Sequence, residues 1–445
     1  MNLDPSQLAA IELMRGGNNV FLTGMAGTGK STVTGEFVGS SFEQVELTAT
    51  TGVAALNRRD QLFARTKIDF PVSTIFRWAG MQIGPKPGQS FEDFYSFLES
   101  GGNMNWKAAY RRIQRCEVLV IDEISMLPGR LLDYLDWHCR RIRATDKPFG
   151  GIRVVAVGDF LQLPPVSKTG VYDWAFASRA WEEAGFQAAV LERVHRQSEN
   201  DFLDVLADLR EGRVRGKTAH ILKGRVARFP PRDLLRLFTH NSQVDKWNEY
   251  QLGNIEAEAE VFEAKTKGND QQIDFLRKNL VTPEVLEIKP GARVMITRNL
   301  TQDGDLIAVN GQTGVVERIE RESGGEFGHE PRIIIRPDGA SHLLDLGPAT
   351  WTFDPQDQKS ATFTQYPLRL AWAATIHKTQ GLSLPAAMAD IRAAREPGQA
   401  YVAVSRVKTL DGLHLKDWFS GIAVSDTAIR FHRNLASGRP AALAV

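Results

Sequence analysis

The chain has 445 residues, 42% of them hydrophobic and 24% charged, with a formal net charge of +1. That length predicts about three domains, and the composition excludes a disordered or collagen-like polymer. Near-neutral charge leaves any nucleic-acid contact to local basic patches, and no uncharged apolar run reaches the ~20 residues that span a bilayer.

In chain order, NNVFLTG reads as a short buried strand ending at Gly24, and STVTGEFV opens a helix. Between them, Gly24-Met25-Ala26-Gly27-Thr28-Gly29-Lys30-Ser31 fits the phosphate-loop pattern G-x-x-x-x-G-K-[ST] in its strand-to-helix context. Glycines let the backbone N–H groups of such a loop curl around phosphates, and the helix N-terminus adds a favourable dipole. Lys30 is expected to reach the β- and γ-phosphates of ATP, and the Ser31 hydroxyl to bind Mg²⁺. Gly24, Ala26, Gly27, Thr28, Gly29, Lys30, Ser31 and Thr32 form the expected nucleotide cradle.

VELTAT is a second strand, and EVLVIDE a third that ends in Asp122-Glu123. Two carboxylates at a strand's carboxyl end suit Mg²⁺ chemistry: Asp122 can hold the metal through water, and Glu123 can orient or deprotonate the attacking water. IRVVAVGD is a fourth strand, and Gln162 just beyond it is placed to sense a γ-phosphate. Strands alternating with helical stretches imply a parallel sheet covered by helices. A second α/β unit is expected from Phe186, with AAVLE and LLRLFTH as strands and DFLDVLADLREG as a helix. From 291 to 362 the texture becomes alternating and glycine-punctuated, which reads as a small antiparallel barrel. AATIHKTQG and a strand YVAVSR then resume the second unit, so the barrel reads as an insertion. The expected organisation is 1–185, 186–290, 291–362 and 363–445, the first and second α/β units flanking the barrel.

Taken together, GMAGTGKST, LTATTGVAALN, VIDEISML, PFGGIRVVAVGDFLQLPPV, AATIHKTQGL and YVAVSRVKTLDGL resemble the PIF (petite integration frequency) DNA helicases, superfamily 1 type B, beside the RecD-like enzymes. The resemblance runs from Leu8 to Leu413. It implies two RecA-like parallel-sheet domains with ATP between them, a small wedge at about 57–75 and an SH3-like insertion matching the barrel. It also implies ATP-driven 5′→3′ translocation on single-stranded DNA with duplex unwinding, by a monomeric motor working at duplex/single-strand junctions. A DNA-stimulated ATPase acting as a clamp or switch is the alternative. Cellular pathway and any preference for forks or G-quadruplexes stay open. By motif position, Gln7 resembles the adenine-reading glutamine, and Arg196 and Arg406 resemble arginine fingers delivered across the cleft. Gln380 and Gly381 in HKTQG are expected close to the nucleotide.

For DNA, the family's motifs point to Thr50 and Thr51, to Thr239, His240 and Asn241, and to His377 and Lys378 as a track along the backbone. Hydroxyls at strand ends also serve as helix caps. Phe76 stands where a histidine is usual and is assigned to the DNA side, and the segment RRDQLFARTKIDFPV after Asn57 is longer than the family's short turn. KAAYRRIQR (107–115) and Arg140-Arg141-Ile142-Arg143 read as basic patches or as solvated helix faces. Cys116 and Cys139 are too few for a disulfide scaffold, and His138-Cys139 lacks further ligands at zinc spacing, so no structural metal is expected. The opening MNLDPSQLAAIELMRGG lacks the charged and apolar regions of a secretory signal, which points to the cytoplasm or nucleoid and to no membrane partner.

Overall fold

The computed structural model describes residues 3–436 except 53, 56–57, 60, 63–69, 82–83, 87, 101–103, 168, 228–230, 232–233, 303–304, 322–329, 340–341 and 354–359. Much of the expected wedge at 57–75 therefore lies outside the described residues. The first unit is a six-stranded parallel sheet built from β1 (Val20–Gly24), β2 (Val45–Ala49), β3 (Val72–Thr74), β4 (Val118–Asp122), β5 (Arg153–Val157) and β6 (Gln187–Leu191), in the order β3-β2-β4-β5-β1-β6. Every residue of β1 and β4 is buried. Helices cover both faces, so these central strands are continuous apolar runs rather than alternating ones.

Helix α1 (Pro5–Arg15) starts at a reciprocal cap: Asp4 Oδ1 accepts the Gln7 N–H at 3.0 Å, and Gln7 Oε1 accepts the Asp4 N–H at 3.1 Å. Helix α2 (Lys30–Ser40) begins directly at the phosphate-type loop. On one face of the sheet Val20, Leu22, Val33 and Phe37 pack together. On the other, Phe21 and Phe160 meet Trp181 and Phe431 in an aromatic core. Phe431 belongs to the helix Asp426–Ala436, late in the chain, and its ring stacks on Phe176 at 4.3 Å and 11°. The chain thus returns to the first unit after completing the second.

The second unit is a four-stranded parallel sheet in the order Ala373–Thr375, Arg236–Phe238, Ala387–Ala389, Leu413–Leu415. The helix Asn200–Arg210 packs Phe202, Val205, Leu206 and Leu209 into its core. Between Phe238 and Ala373 the chain makes an antiparallel sheet of five strands, Leu344–Leu346, Arg332–Pro337, Thr313–Glu320, Arg293–Ile296 and Leu368–Leu370, with a core of its own.

Three expectations are corrected. AAVLE does not open the second unit: as β6 it pairs in parallel with β1 over five residues and completes the first sheet. An apolar strand does not declare which sheet edge it joins, and the boundary near 186 moves beyond it. YVAVSR is not a strand, because Gln399–Val404 is a helix after Gly398 in the left-handed region (φ +75°). All six of its residues are buried, so no polar face reveals a period of 3.6. The antiparallel region also runs wider than 291–362. Glu260–Glu263 pairs with Val285–Ile288, Lys265–Lys267 with Thr362–Gln365, and Leu368–Leu370 with Arg293–Ile296. Charge-rich strands such as EVFE and KTK read as solvated linker in sequence.

Candidate active site

All strands of the first sheet are parallel, so the loops after β1, β2, β4 and β5 gather at one end. In the loop after β1, Gly27 (φ +84°) and Gly29 (φ +86°) hold conformations that L side chains rarely adopt. Space forbids side chains there as well: a Cβ on Gly27 would lie 2.6 Å from Arg196 Cβ, and one on Gly29 would lie 2.5 Å from Gln7 Nε2. Gln7 is buried against this loop, its Nε2 donating to Thr28 O at 3.1 Å, and His195 Nε2 bridges it to Asp4 Oδ2 (3.2 and 2.8 Å). Lys30 Nζ donates to Gly24 O (2.8 Å) and Met25 O (3.1 Å). Burial pulls its pKa down, against the pull of Asp159, Glu123 and Asp122. The loop amide of Ala26 donates to the Tyr401 hydroxyl at 2.8 Å, so the second unit touches the cradle directly.

At the end of β4, Glu123 sits in the left-handed region (φ 54°), which aims its carboxylate away from the strand line. Burial, then the neighbouring Asp122, pushes its pKa up to about 7. Gln380 of the second unit donates from Nε2 to Glu123 Oε2 at 3.0 Å. Asp122 accepts from Arg58 Nε at 2.7 Å and also from Nη2, and both side chains are buried. Ser31, Asp122, Glu123, Arg58, Gln380 and Gly381 line one cavity of about 160 Å³. A hydroxyl and two carboxylates on one small cavity are hard oxygen donors that fit Mg²⁺.

The two expected fingers stand together on the far side. Arg196 Nη1 donates to Ser405 O (3.1 Å), while Arg406 donates to Val402 O (2.9 Å) and Ser405 Oγ (2.8 Å). Burial, then the adjacent Arg196, draws the Arg406 pKa down to about 9. Two adjacent cations, Arg406 buried and Arg196 partly so, make a strong site for an anion arriving between them. Gln162 is buried, with Nε2 donating to Asp159 Oδ2 at 3.3 Å.

Residues 104–220 match the family model described as PIF1-like helicase. The "ATP-dependent DNA helicase Pif1" of Bdellovibrio bacteriovorus is 34% identical, over 97% of this chain and 92% of that protein. The chain belongs to the PIF1-like helicase family. Among solved structures, this PIF1-like helicase is similar to Bacteroides sp. Pif1 in complex with ADP-AlF4 (28% identity, TM-score 0.80, 98% of each chain). It is also similar to Bacteroides Pif1 bound to ssDNA (28% identity, TM-score 0.66, 98% of each chain). Its two parallel sheets are the family's two RecA-like domains.

In this PIF1-like chain the residues assigned to DNA separate into two groups. Thr51, His377 and Lys378 line the same cavity as the carboxylates. Thr239, His240 and Asn241 follow the strand Arg236–Phe238, which lies parallel beside Ala373–Thr375 and so ends on the same side. Thr50 is buried and donates from Oγ1 to Glu123 O at 3.0 Å, and its N–H bonds Asp122 O at 3.2 Å. It braces the end of β4 at Asp122-Glu123. Phe76, on the short helix Ile75–Trp78, is partly buried and packs against the aromatic core of the first domain, while Ile75 and Trp78 are the residues this helix turns fully inward. Of the two basic runs, Arg140 pairs with Asp136 and Glu183, and Arg143 donates to Cys116 O, which makes that run a packing surface. Arg111, Arg112 and Arg115 instead line a cleft of about 450 Å³ with Arg59 and Arg77.

Sequence reasoning missed Arg58, Tyr401 and Arg210. Arg58 follows directly on LTATTGVAALN, but nothing in the spacing says which carboxylate it meets. Tyr401 lies on the helix Gln399–Val404, with every residue of that helix buried, so no polar face marks which side meets the first domain.

Proposed function

We propose that this protein is an ATP-hydrolysing DNA helicase that moves 5′→3′ along single-stranded DNA as a monomer and separates duplex ahead of it. The observation that carries this reading is the convergence of Lys30, Ser31, Asp122 and Glu123 from one RecA-like domain with Gln380, Arg196 and Arg406 from the other. The triphosphate of ATP lies along the loop after β1, with Lys30 turning from the loop carbonyls to its β- and γ-phosphates. Mg²⁺, held by the Ser31 hydroxyl and Asp122, supplies charge neutralisation at the phosphates. Glu123 accepts the proton of the attacking water, and Gln380 holds its carboxylate in place from across the cleft. Arg196 and Arg406 meet the charge that develops on the transferred phosphoryl group, an effect worth ~10³–10⁵ in rate for such fingers.

Water attacks the γ-phosphorus, ADP leaves, and release of the inorganic phosphate removes the anion that draws the arginines in, so the cleft opens and closes once per ATP. Thr51 on one domain, and His377, Lys378 and Thr239–Asn241 on the other, then alternate their hold on the DNA backbone. Opening duplex costs ~1.4 kcal/mol of stacking per step, which binding alone cannot supply over many base pairs. Strand separation from 5′-tailed, 3′-tailed and blunt duplexes, with ATP and excess trap strand, tests this. Unwinding from the 5′ tail alone is expected. Unwinding from the 3′ tail alone overturns the polarity, and DNA-stimulated hydrolysis with no unwinding leaves a clamp.

A further inference from the structure

We propose that Arg210 is a positioning residue for Gln162, acting through Asp159 across the boundary between the two RecA-like domains; this rests on the reading of Gln162 as the γ-phosphate sensor. Asp159 and Arg210 are both buried, one on the loop after β5 and the other on the last residue of the helix Asn200–Arg210. Arg210 donates from Nη2 to Asp159 Oδ1 at 2.8 Å and from Nε to Oδ2 at 3.1 Å, a two-pronged pair that fixes the rotation of the carboxylate. Its remaining Nη1 lies 3.0 Å from His432 Nε2, on the helix that returns to the first domain. The same carboxylate accepts from Leu161 N at 3.1 Å and from Gln162 Nε2 at 3.3 Å.

Gln162 is therefore parked: one of the two N–H groups of its amide is engaged by Asp159, which holds the side chain in this orientation. Arg210 sets how firmly it is parked. With the guanidinium in place, the charge of Asp159 is shared among four donors, and the bond to Gln162 is weak enough to be exchanged for a phosphate oxygen. Without it, a bare buried carboxylate grips Gln162 and repels an incoming phosphate near Lys30, whose largest charge partner is Asp159. Because Arg210 rides on the second domain, the sensor is tuned by where that domain stands.

The test compares the affinity of the full chain, with Mg²⁺, for ADP and for a non-hydrolysable ATP analogue. Arg210→Met should weaken the analogue by about tenfold, the scale of one hydrogen bond to a charged group, while ADP binding stays within about twofold. Adding Gln162→Ala to Arg210→Met should cost little more, because the two act as one unit. Asp159→Asn with Arg210→Met removes both charges and should recover most of the discrimination; this pair also folds without a buried unpaired carboxylate, should the single variant not fold. Equal weakening of ADP and analogue, or full additivity with Gln162→Ala, overturns the proposal and leaves Arg210 a structural ion pair. If Gln162→Ala alone leaves the discrimination intact, the sensor assignment itself falls, and the proposal with it.

Discussion

Arg58 grips Asp122 through two of its nitrogens, with Nε 2.7 Å from Oδ2, on the cavity that Ser31 and Glu123 also line. The guanidinium supplies positive charge to the carboxylate assigned to Mg²⁺, so metal and arginine compete for the same oxygen. Arg58→Ala should lower the Mg²⁺ concentration needed for half-maximal ADP binding several-fold, as the competitor is gone. It should also lower the melting temperature of the nucleotide-free protein, since removing one partner of a buried pair costs about 3–5 kcal/mol. Adding Mg²⁺ and ADP should restore much of that loss. An unchanged Mg²⁺ dependence, measured by calorimetric titration, would remove Arg58 from the site.

Glu123, with its pKa pushed up to about 7, predicts a pH profile. A base that takes a proton from water works only when ionised, so turnover should climb with pH and level off above about 7. Glu123→Gln should flatten the profile and slow hydrolysis by ~10²–10⁴, while Asp122 and Ser31 still support nucleotide binding. The folded state holds this proton more tightly than the unfolded chain. The stability tied to it is therefore full below the ordinary value of 4.5 and lost as pH rises through about 7. Glu123→Gln, which has no proton to lose, should melt above the wild type at pH ~8 and converge with it in acid. A melting difference independent of pH contradicts this.

Lys30 stands on the loop carbonyls of Gly24 and Met25, half-buried, and the desolvation lowers its pKa. Lys30→Ala should abolish hydrolysis and leave the fold intact, since it takes away a desolvated cation rather than a packed core side chain. Turnover and far-UV circular dichroism check this together. Normal turnover with a normal spectrum contradicts the role.

Lys378 is half-buried beside Arg369 and Asp245, and burial lowers its pKa. If it holds one DNA phosphate, Lys378→Ala should weaken single-strand binding at every sequence and reduce the salt slope by about one unit or less. Binding isotherms across a range of KCl concentrations measure it. A slope equal to that of the wild type takes Lys378 off the DNA.

Much of the nucleotide side was legible because its chemistry is local. The cradle from Gly24 to Thr32 and the Asp122-Glu123 pair each sit within a few residues on one strand-to-helix or strand-to-turn junction. Gln7, Gln380, Arg196 and Arg406 came only through motif resemblance, as their place depends on how the domains meet. What stayed hidden were pairings between distant segments: Arg58 with Asp122, Tyr401 with Ala26, and Arg210 with Asp159 are joined by tertiary packing that no periodicity encodes. The helix Gln399–Val404 misled for the opposite reason, since a segment buried on every side carries no amphipathic signal.

The central claim is that hydrolysis needs the cleft between the domains to close arginines onto ATP held by the first. Among the described residues, Arg406 donates to oxygens of its own domain, those of Val402, Ser405 and Thr379. Single-turnover ATP hydrolysis by Arg406→Ala on saturating single-stranded DNA tests the claim most directly. The account predicts a fall of ~10³ or more, the scale for an arginine finger, with DNA affinity in the absence of nucleotide close to that of the wild type. Hydrolysis within about tenfold of the wild type, against that expected scale, would contradict it.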